Sequence, residues 1–306
     1  MFIKTRTFTL TFLFLLVTVA LPAHAEPLPV FVSIAPQKWL VKQLGGDLVS
    51  TQVLLDKGQE PHTYQPSPDK MTALFRSRLY FTLGMPFERE IARKIKSNDA
   101  KSLQLIDITA DIKRIAIAEH HHEEGKHEEH DEHRHEKIKH LEKNADPHVW
   151  LNPQNLEKMA TVMTKALVAA DQEHAPTYQQ NFSILQEKLT LLHQEITQQL
   201  APFQGATFFV FHPAFGYFAH AYGLHQEAVE IEGKAPSPKQ LYALVKHAKA
   251  DKIKVLFVQP QFDRRNAQTV AQAIKGKLAV LDPLAEDIEL NLRRMAEAIQ
   301  SALSTR

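Results

Sequence analysis

The chain has 306 residues, with 36 lysines and arginines set against 35 acidic residues and a formal net charge of +1. Its cations are scattered, so the charge pattern points away from nucleic acid. It has no cysteine, which excludes disulfides and thiolate ligands; any metal site must use histidine, carboxylate and water.

Residues 1–25 read as a secretory signal. Lys4 and Arg6 give the positive start, Phe8 to Leu21 the apolar middle, and Ala23-His24-Ala25 the small residues of a cleavage site before Glu26. The apolar run is short for a membrane span. With no cysteine after it, a lipid-anchored form is not expected. The reading is a soluble periplasmic protein cleaved after Ala25, whose mature length suits two modest domains.

The first half alternates strand and helix. Pro29–Ile34 and Thr51–Leu55 read as buried strands, with a helix around Gln37–Leu44 closed by Gly45-Gly46. Asp69–Arg78 reads as helix, and Leu79–Leu83 and Leu103–Ile108 as strands. That order predicts a mostly parallel sheet flanked by helices.

Residues 119–142 differ in kind. They hold His120, His121, His122, His127, His130, His133, His135 and His140, eight of the 17 histidines, interleaved with glutamate. Imidazoles at this density are transition-metal ligands, and a segment with so little apolar surface reads as a disordered loop. Such a loop is a weak secondary zinc site, since a floppy array binds many metals in many geometries.

Pro153–Ala170 places Leu156, Met159, Ala160, Met163 and Leu167 on one helical face. A second helix opens at Pro176, with Tyr178, Phe182, Leu185, Leu189, Leu192 and Ile196 at steps of four and three. It runs to Leu200, about 25 residues and about 38 Å. A helix that long either crosses between lobes and fixes their spacing or packs along one domain. Alternation then resumes, with strands at Thr207–Phe211, Ile253–Val258 and Lys277–Leu281. Helices at Ser237–Lys249, Asn266–Ile274 and Glu286–Ala302 cover them. The predicted organisation is an α/β lobe over 26–173, a linker helix over 174–202 and a second α/β lobe over 203–306.

Four residues stand at or just beyond expected strand ends or loop exits, each with a proline beside it: His62, His148, His212 and Asp282. In open parallel sheets that edge is where ligands bind, and proline limits local freedom. Three imidazoles and one carboxylate make a closed four-coordinate Zn²⁺ site, suited to holding an ion; a catalytic zinc keeps a position for water. Glu60 is a second candidate for the fourth ligand. His174, His193, His220, His225 and His247 fall on element surfaces without comparable turn chemistry and read as structural.

The same residues carry a resemblance over nearly the whole mature chain. Gly58-Gln-Glu-Pro-His62-Thr-Tyr-Gln-Pro-Ser-Pro68, Asp146-Pro-His148-Val-Trp-Leu-Asn-Pro153 and Phe211-His212-Pro-Ala-Phe-Gly-Tyr-Phe218 resemble the ligand motifs of metal-binding solute-binding proteins of bacterial ABC importers. Glu232-Gly-Lys-Ala-Pro-Ser-Pro238, Phe257-Val-Gln-Pro-Gln-Phe262 and Leu281-Asp282-Pro-Leu-Ala285 are similar to the family's second-lobe landmarks. The resemblance implies two α/β lobes joined by one long rigid helix, metal in the cleft, and His62, His148, His212 and Asp282 as ligands. It also implies delivery to an ABC permease in the inner membrane, with the receptor a monomer. Histidine at 212, where manganese-type members carry glutamate, points to the zinc-specific branch. The chain departs from that branch in lacking the second-lobe disulfide of many Gram-negative members. Residues 286–293 match its pattern only loosely.

Rival readings are a manganese receptor, and a surface metal-buffering or adhesin protein of the same fold. Enzyme activity is not expected. His135-Glu136 and His140 are one residue too wide for a zinc-protease helix, and no nucleophile elbow or nucleotide loop occurs. Neutral imidazole ligands predict metal affinity that falls as pH drops through about 6.5.

Overall fold

The computed structural model describes residues 26–97, 102–117, 145–230, 237–262 and 264–305. The signal reading over 1–25, the His-rich segment 119–142 and most of the Glu232–Pro238 landmark lie outside these residues.

Two four-stranded parallel sheets organise the molecule. β1 (Leu28–Val32), β2 (Val49–Val53), β3 (Leu79–Thr82) and β4 (Gln104–Asp107) form the first, in the order β2-β1-β3-β4. β5 (Thr207–Val210), β6 (His225–Ala228), β7 (Val255–Val258) and β8 (Lys277–Val280) form the second, in the order β6-β5-β7-β8. All six pairings are parallel, as the alternation of strand and helix predicts. In each sheet the first strand is central, so the winding direction reverses between β1 and β3 and between β5 and β7. A buried glutamine bridges each reversal. Gln37 accepts from the backbone of Ser33 and Ile34 and donates to Phe81 O at 3.0 Å. Gln259 accepts from His212 N and donates to His212 O at 2.7 Å.

Nine helices are described. α1 (Ala35–Gly45), α2 (Pro68–Phe75) and α3 (Pro86–Ser97) flank the first sheet, followed by α4 (Pro153–Ala170) and α5 (Ala175–Leu200). α6 (Gly216–Ala221), α7 (Pro238–Ala250), α8 (Arg264–Ala273) and α9 (Ile288–Ser304) belong to the second half. Capping explains several starts. Ser67, Asn152 and Ser237 each accept a backbone N–H from the first turn with their side chains, and a proline follows each.

α5 has 26 residues, about 39 Å at the standard rise. Leu185, Leu189, Leu192 and Ile196 are buried along it, each stabilising by about 1.5–3 kcal/mol relative to exposure. It packs on α1 and α4 from the first half and on α9 from the second. One continuous apolar core follows from this, running from Phe31 and Phe81 through α4 and α5 to Phe208, Phe218 and Met295. A smaller core of Phe209, Leu256, Val258, Leu244 and Val270 lies between the second sheet, α7 and α8. Among the described residues no helix is long and apolar enough to cross a membrane.

Three elements escaped the sequence reading. α3 carries Phe87, Ile91 and Ile95 at steps of four, a readable helical face. α6 spans only six residues, and β6 (His-Gln-Glu-Ala) has little intrinsic strand preference. β6 exists because β5 offers it a backbone edge, a case of pairing overriding propensity.

Candidate metal centre

The loop after β2, the segment that leads into α4 and the loop after β5 bring three predicted residues together. One ring nitrogen from each of His62, His148 and His212 lies within 4.8 Å of the others. His62 Nε2 and His212 Nε2 are 3.3 Å apart. Two ligands about 2.05 Å from a tetrahedral zinc stand about 3.3 Å apart, so this spacing fits that ion.

His62 comes from the loop between β2 and α2. Glu60 shapes that loop: its carboxylate accepts the backbone N–H groups of His62 and Thr63, each at 2.8 Å, and the Thr63 hydroxyl. Tyr64 donates its hydroxyl to Leu54 O and sets its ring edge-on to Phe87. Lys70 Nζ donates to Val53 O at 2.6 Å and pairs with Asp56, tying α2 to the end of β2. His62 is exposed at the cleft edge while its ring turns in among the other imidazoles. That enclosure, and then the nearby His212, hold its pKa below the usual 6.5, although Glu60 and Glu230 pull the other way.

His148 is buried. Asp146 Oδ1 accepts both its Nδ1–H, at 2.7 Å, and its backbone N–H, at 2.9 Å. Its ring meets Trp150 edge-on, and Trp150 Nε1 donates to Pro283 O at 2.6 Å, joining the two halves of the chain beside the site. Lys38 and Glu286 make a second such link at 3.1 Å.

His212 follows β5 and is also buried, with Nδ1 2.7 Å from Glu230 Oε2. Phe262 stacks on its ring at 4.8 Å and 24°. Burial, chiefly, holds its pKa below 6.5; the Glu230 hydrogen bond opposes this and His148 reinforces it. Because a carboxylate only accepts, Asp146 and Glu230 place the protons of His148 and His212 on Nδ1. Both Nε2 lone pairs are then free for an ion, the usual carboxylate–histidine arrangement behind a metal.

Asp282 and Glu60 lie outside this group of ligand atoms. Asp282 Oδ1 is engaged by Gln261 Nε2 at 2.8 Å and Leu284 N at 3.0 Å. Both Glu60 oxygens are engaged by their own loop. The narrow space in front of the imidazoles is walled by Pro61, Gln261, Phe262, Pro283 and Leu284.

Sequence reasoning assigned no role to Asp146, Glu230, Gln259 or Phe262. Asp146 was legible, since an acid two residues before a ligand histidine sits within reach of its ring. Glu230 is 18 residues from His212, and only the pairing of β6 with β5 brings them together. Of the histidines read as surface residues, His193 is half-buried, its ring tilted over Tyr222 at 5.5 Å.

Comparison with known proteins gives a consistent result. The family described as "Zinc-uptake complex component A periplasmic" matches residues 30–303. A "Putative metal-binding protein" of Chlamydia muridarum is 27% identical over 281 residues, 90% of this chain and 93% of that protein. The "High-affinity zinc uptake system protein ZnuA" of Brucella suis is 31% identical over 169 residues, covering 52% of this chain and 50% of its own. A crystal structure of ZnuA superposes with a TM-score of 0.79 at 32% identity, over 90% of this chain and 99% of that one.

Proposed function

Since the chain belongs to the periplasmic zinc-uptake complex component A family, we propose that it captures Zn²⁺ between its two sheets and delivers it to an ABC permease in the inner membrane. The convergence of three imidazoles, two of them held by buried carboxylates, is the observation that carries this reading. Three nitrogen donors suit zinc, whereas manganese prefers oxygen. The Asp146 and Glu230 carboxylates offset the charge of the ion without occupying its coordination sphere.

The receptor is a monomer secreted with cleavage after Ala25, and it binds and releases its cargo without altering it. His62, His148 and His212 are the ligands. Asp282 and Glu60, both engaged elsewhere, support the loops that carry them. The His-rich segment 119–142 is a weak, fast-exchanging zinc collector that acts in addition to the tight site. The links from Trp150 to Pro283 and from Lys38 to Glu286, with α5 packed on both halves, favour release through small local movements over wide opening.

Titrating mature protein lacking residues 119–142 with Zn²⁺ against a competing chelator, then with Mn²⁺, tests the proposal. One tight zinc equivalent that manganese cannot displace is expected, along with loss of the extra bound metal. Weak binding would make the segment the principal metal site and turn the reading toward buffering.

A further inference from the structure

We propose that Gln261 completes the metal centre from the second half of the chain, accepting a hydrogen bond from the water in zinc's fourth position, and that Asp282 positions Gln261 without touching the ion. The inference rests on the three-histidine reading above.

Gln261 lies in the turn after β7 and lines the cavity shared by His62, His148 and His212. Its Nε2 donates to Asp282 Oδ1. A carboxylate can only accept, so this bond fixes which way the amide faces: nitrogen toward Asp282, oxygen away from it. That oxygen, Oε1, is buried and has no hydrogen-bond partner among the described residues. A buried acceptor of this kind persists where something that binds the site supplies the donor.

Asp282 is poorly placed to be that something's ligand. Its Oδ1 is also held by Leu284 N, and its backbone oxygen accepts from Asn291 Nδ2 at 2.7 Å. Neither of its carboxylate oxygens joins the group of imidazole nitrogens within 4.8 Å of one another. Three imidazoles leave one of zinc's four usual positions to a water, whose hydrogens need an acceptor. An amide oxygen is a weak direct ligand for zinc beside imidazole, but it accepts well from a metal-bound water. Gln261 adds no charge and leaves the fourth position to the water, so the site is open where the sequence predicts one closed by a carboxylate.

The test uses Gln261→Leu, which removes the acceptor, and Asp282→Asn, which frees the amide to turn over. Each is made alone and together in the full mature chain and titrated with zinc against a chelator. Each single variant should keep the tight equivalent with about tenfold weaker affinity, the scale of outer-sphere losses. The double variant should lose no more than the worse single one, because Asp282 acts through Gln261. In wild-type protein loaded with Co²⁺, azide should shift the visible bands by displacing the water. Wild-type affinity in Gln261→Leu, additive losses in the double variant, or cobalt bands that ignore azide would overturn the proposal. Failure of the three-histidine reading looks different: His212→Ala would keep the tight equivalent, and the proposal would fall with it.

Discussion

Asp146 Oδ1 holds His148 at two points, 2.7 Å from the ring Nδ1 and 2.9 Å from the backbone nitrogen of the same residue. The acid thus sets both the tautomer and the direction of the ring, with only Pro147 between them. Asp146→Asn keeps the shape and weakens the acceptor. Zinc affinity should fall about 10- to 100-fold with one equivalent retained, as outer-sphere partners of ligand histidines usually show. Competition titration of the variant decides the matter; unchanged affinity would mean that packing against Trp150 alone orients the ring.

Gly216 supplies the space that Asp146 occupies. A Cβ there would stand 2.5 Å from Asp146 Oδ2, which is fully buried. The backbone of Gly216 is unstrained, so it is the missing side chain that matters. Gly216→Ala should displace Asp146, costing about 1–3 kcal/mol of stability as overpacking does. The accompanying loss of zinc affinity should be at least about tenfold, as for other disturbed ligand supports. Thermal unfolding of metal-free protein and a zinc titration measure the two effects. A drop in stability with full affinity would show that Asp146 relaxes without moving His148.

What the sequence revealed and what it hid divide along physical lines. The three histidines were legible because each is flanked by proline at a strand end or loop exit, signals local in sequence. The sheets were legible because buried parallel strands read as apolar runs such as Val30–Val32 and Phe208–Val210. Hidden were relationships set by long-range pairing. Glu230 reaches His212 only through the β5–β6 edge, and β6 carries no strand signal of its own. The site of Asp282 was readable but its engagement was not, because Gln261 meets it across the β7–β8 pair. A sequence shows which residues can ligate; which are already taken depends on neighbours far along the chain.

Acid should release the ion later than free imidazole suggests. His62 and His212 are held below 6.5, mainly by burial, so their Nε2 lone pairs stay available below that pH. Affinity should hold from about pH 8 to about 6.5 and fall only under it, since protons compete for the same nitrogens. Titration across this range checks the displacement; a fall already under way at pH 7 would contradict it. The same shifts act on the metal-free fold. The unfolded chain takes up protons near 6.5 while the folded one does not, so this part of the stability is present above about 6.5 and shrinks as pH drops below it.

Glu88 should act in the opposite sense. It is buried at the start of α3, and its carboxylate accepts from the backbone nitrogens of Leu83, Gly84 and Met85 and from the Ser33 hydroxyl. Burial dominates over these four donors and raises its pKa from 4.5 to about 7. The folded state therefore holds a proton that the unfolded chain has lost between those values. Its contribution to stability is complete below about 4.5 and disappears as pH rises to about 7, on the order of 3 kcal/mol in all. Glu88→Gln cannot ionise and should lack this slope, even if losing acceptors lowers its stability at every pH. Denaturant unfolding of both metal-free proteins at pH 5 and pH 8 isolates the effect, because the histidine contributions cancel between them. The stability gap between wild type and variant should narrow or reverse at pH 8. A gap equal at both pH values would mean that the donors around Glu88 keep it ionised throughout.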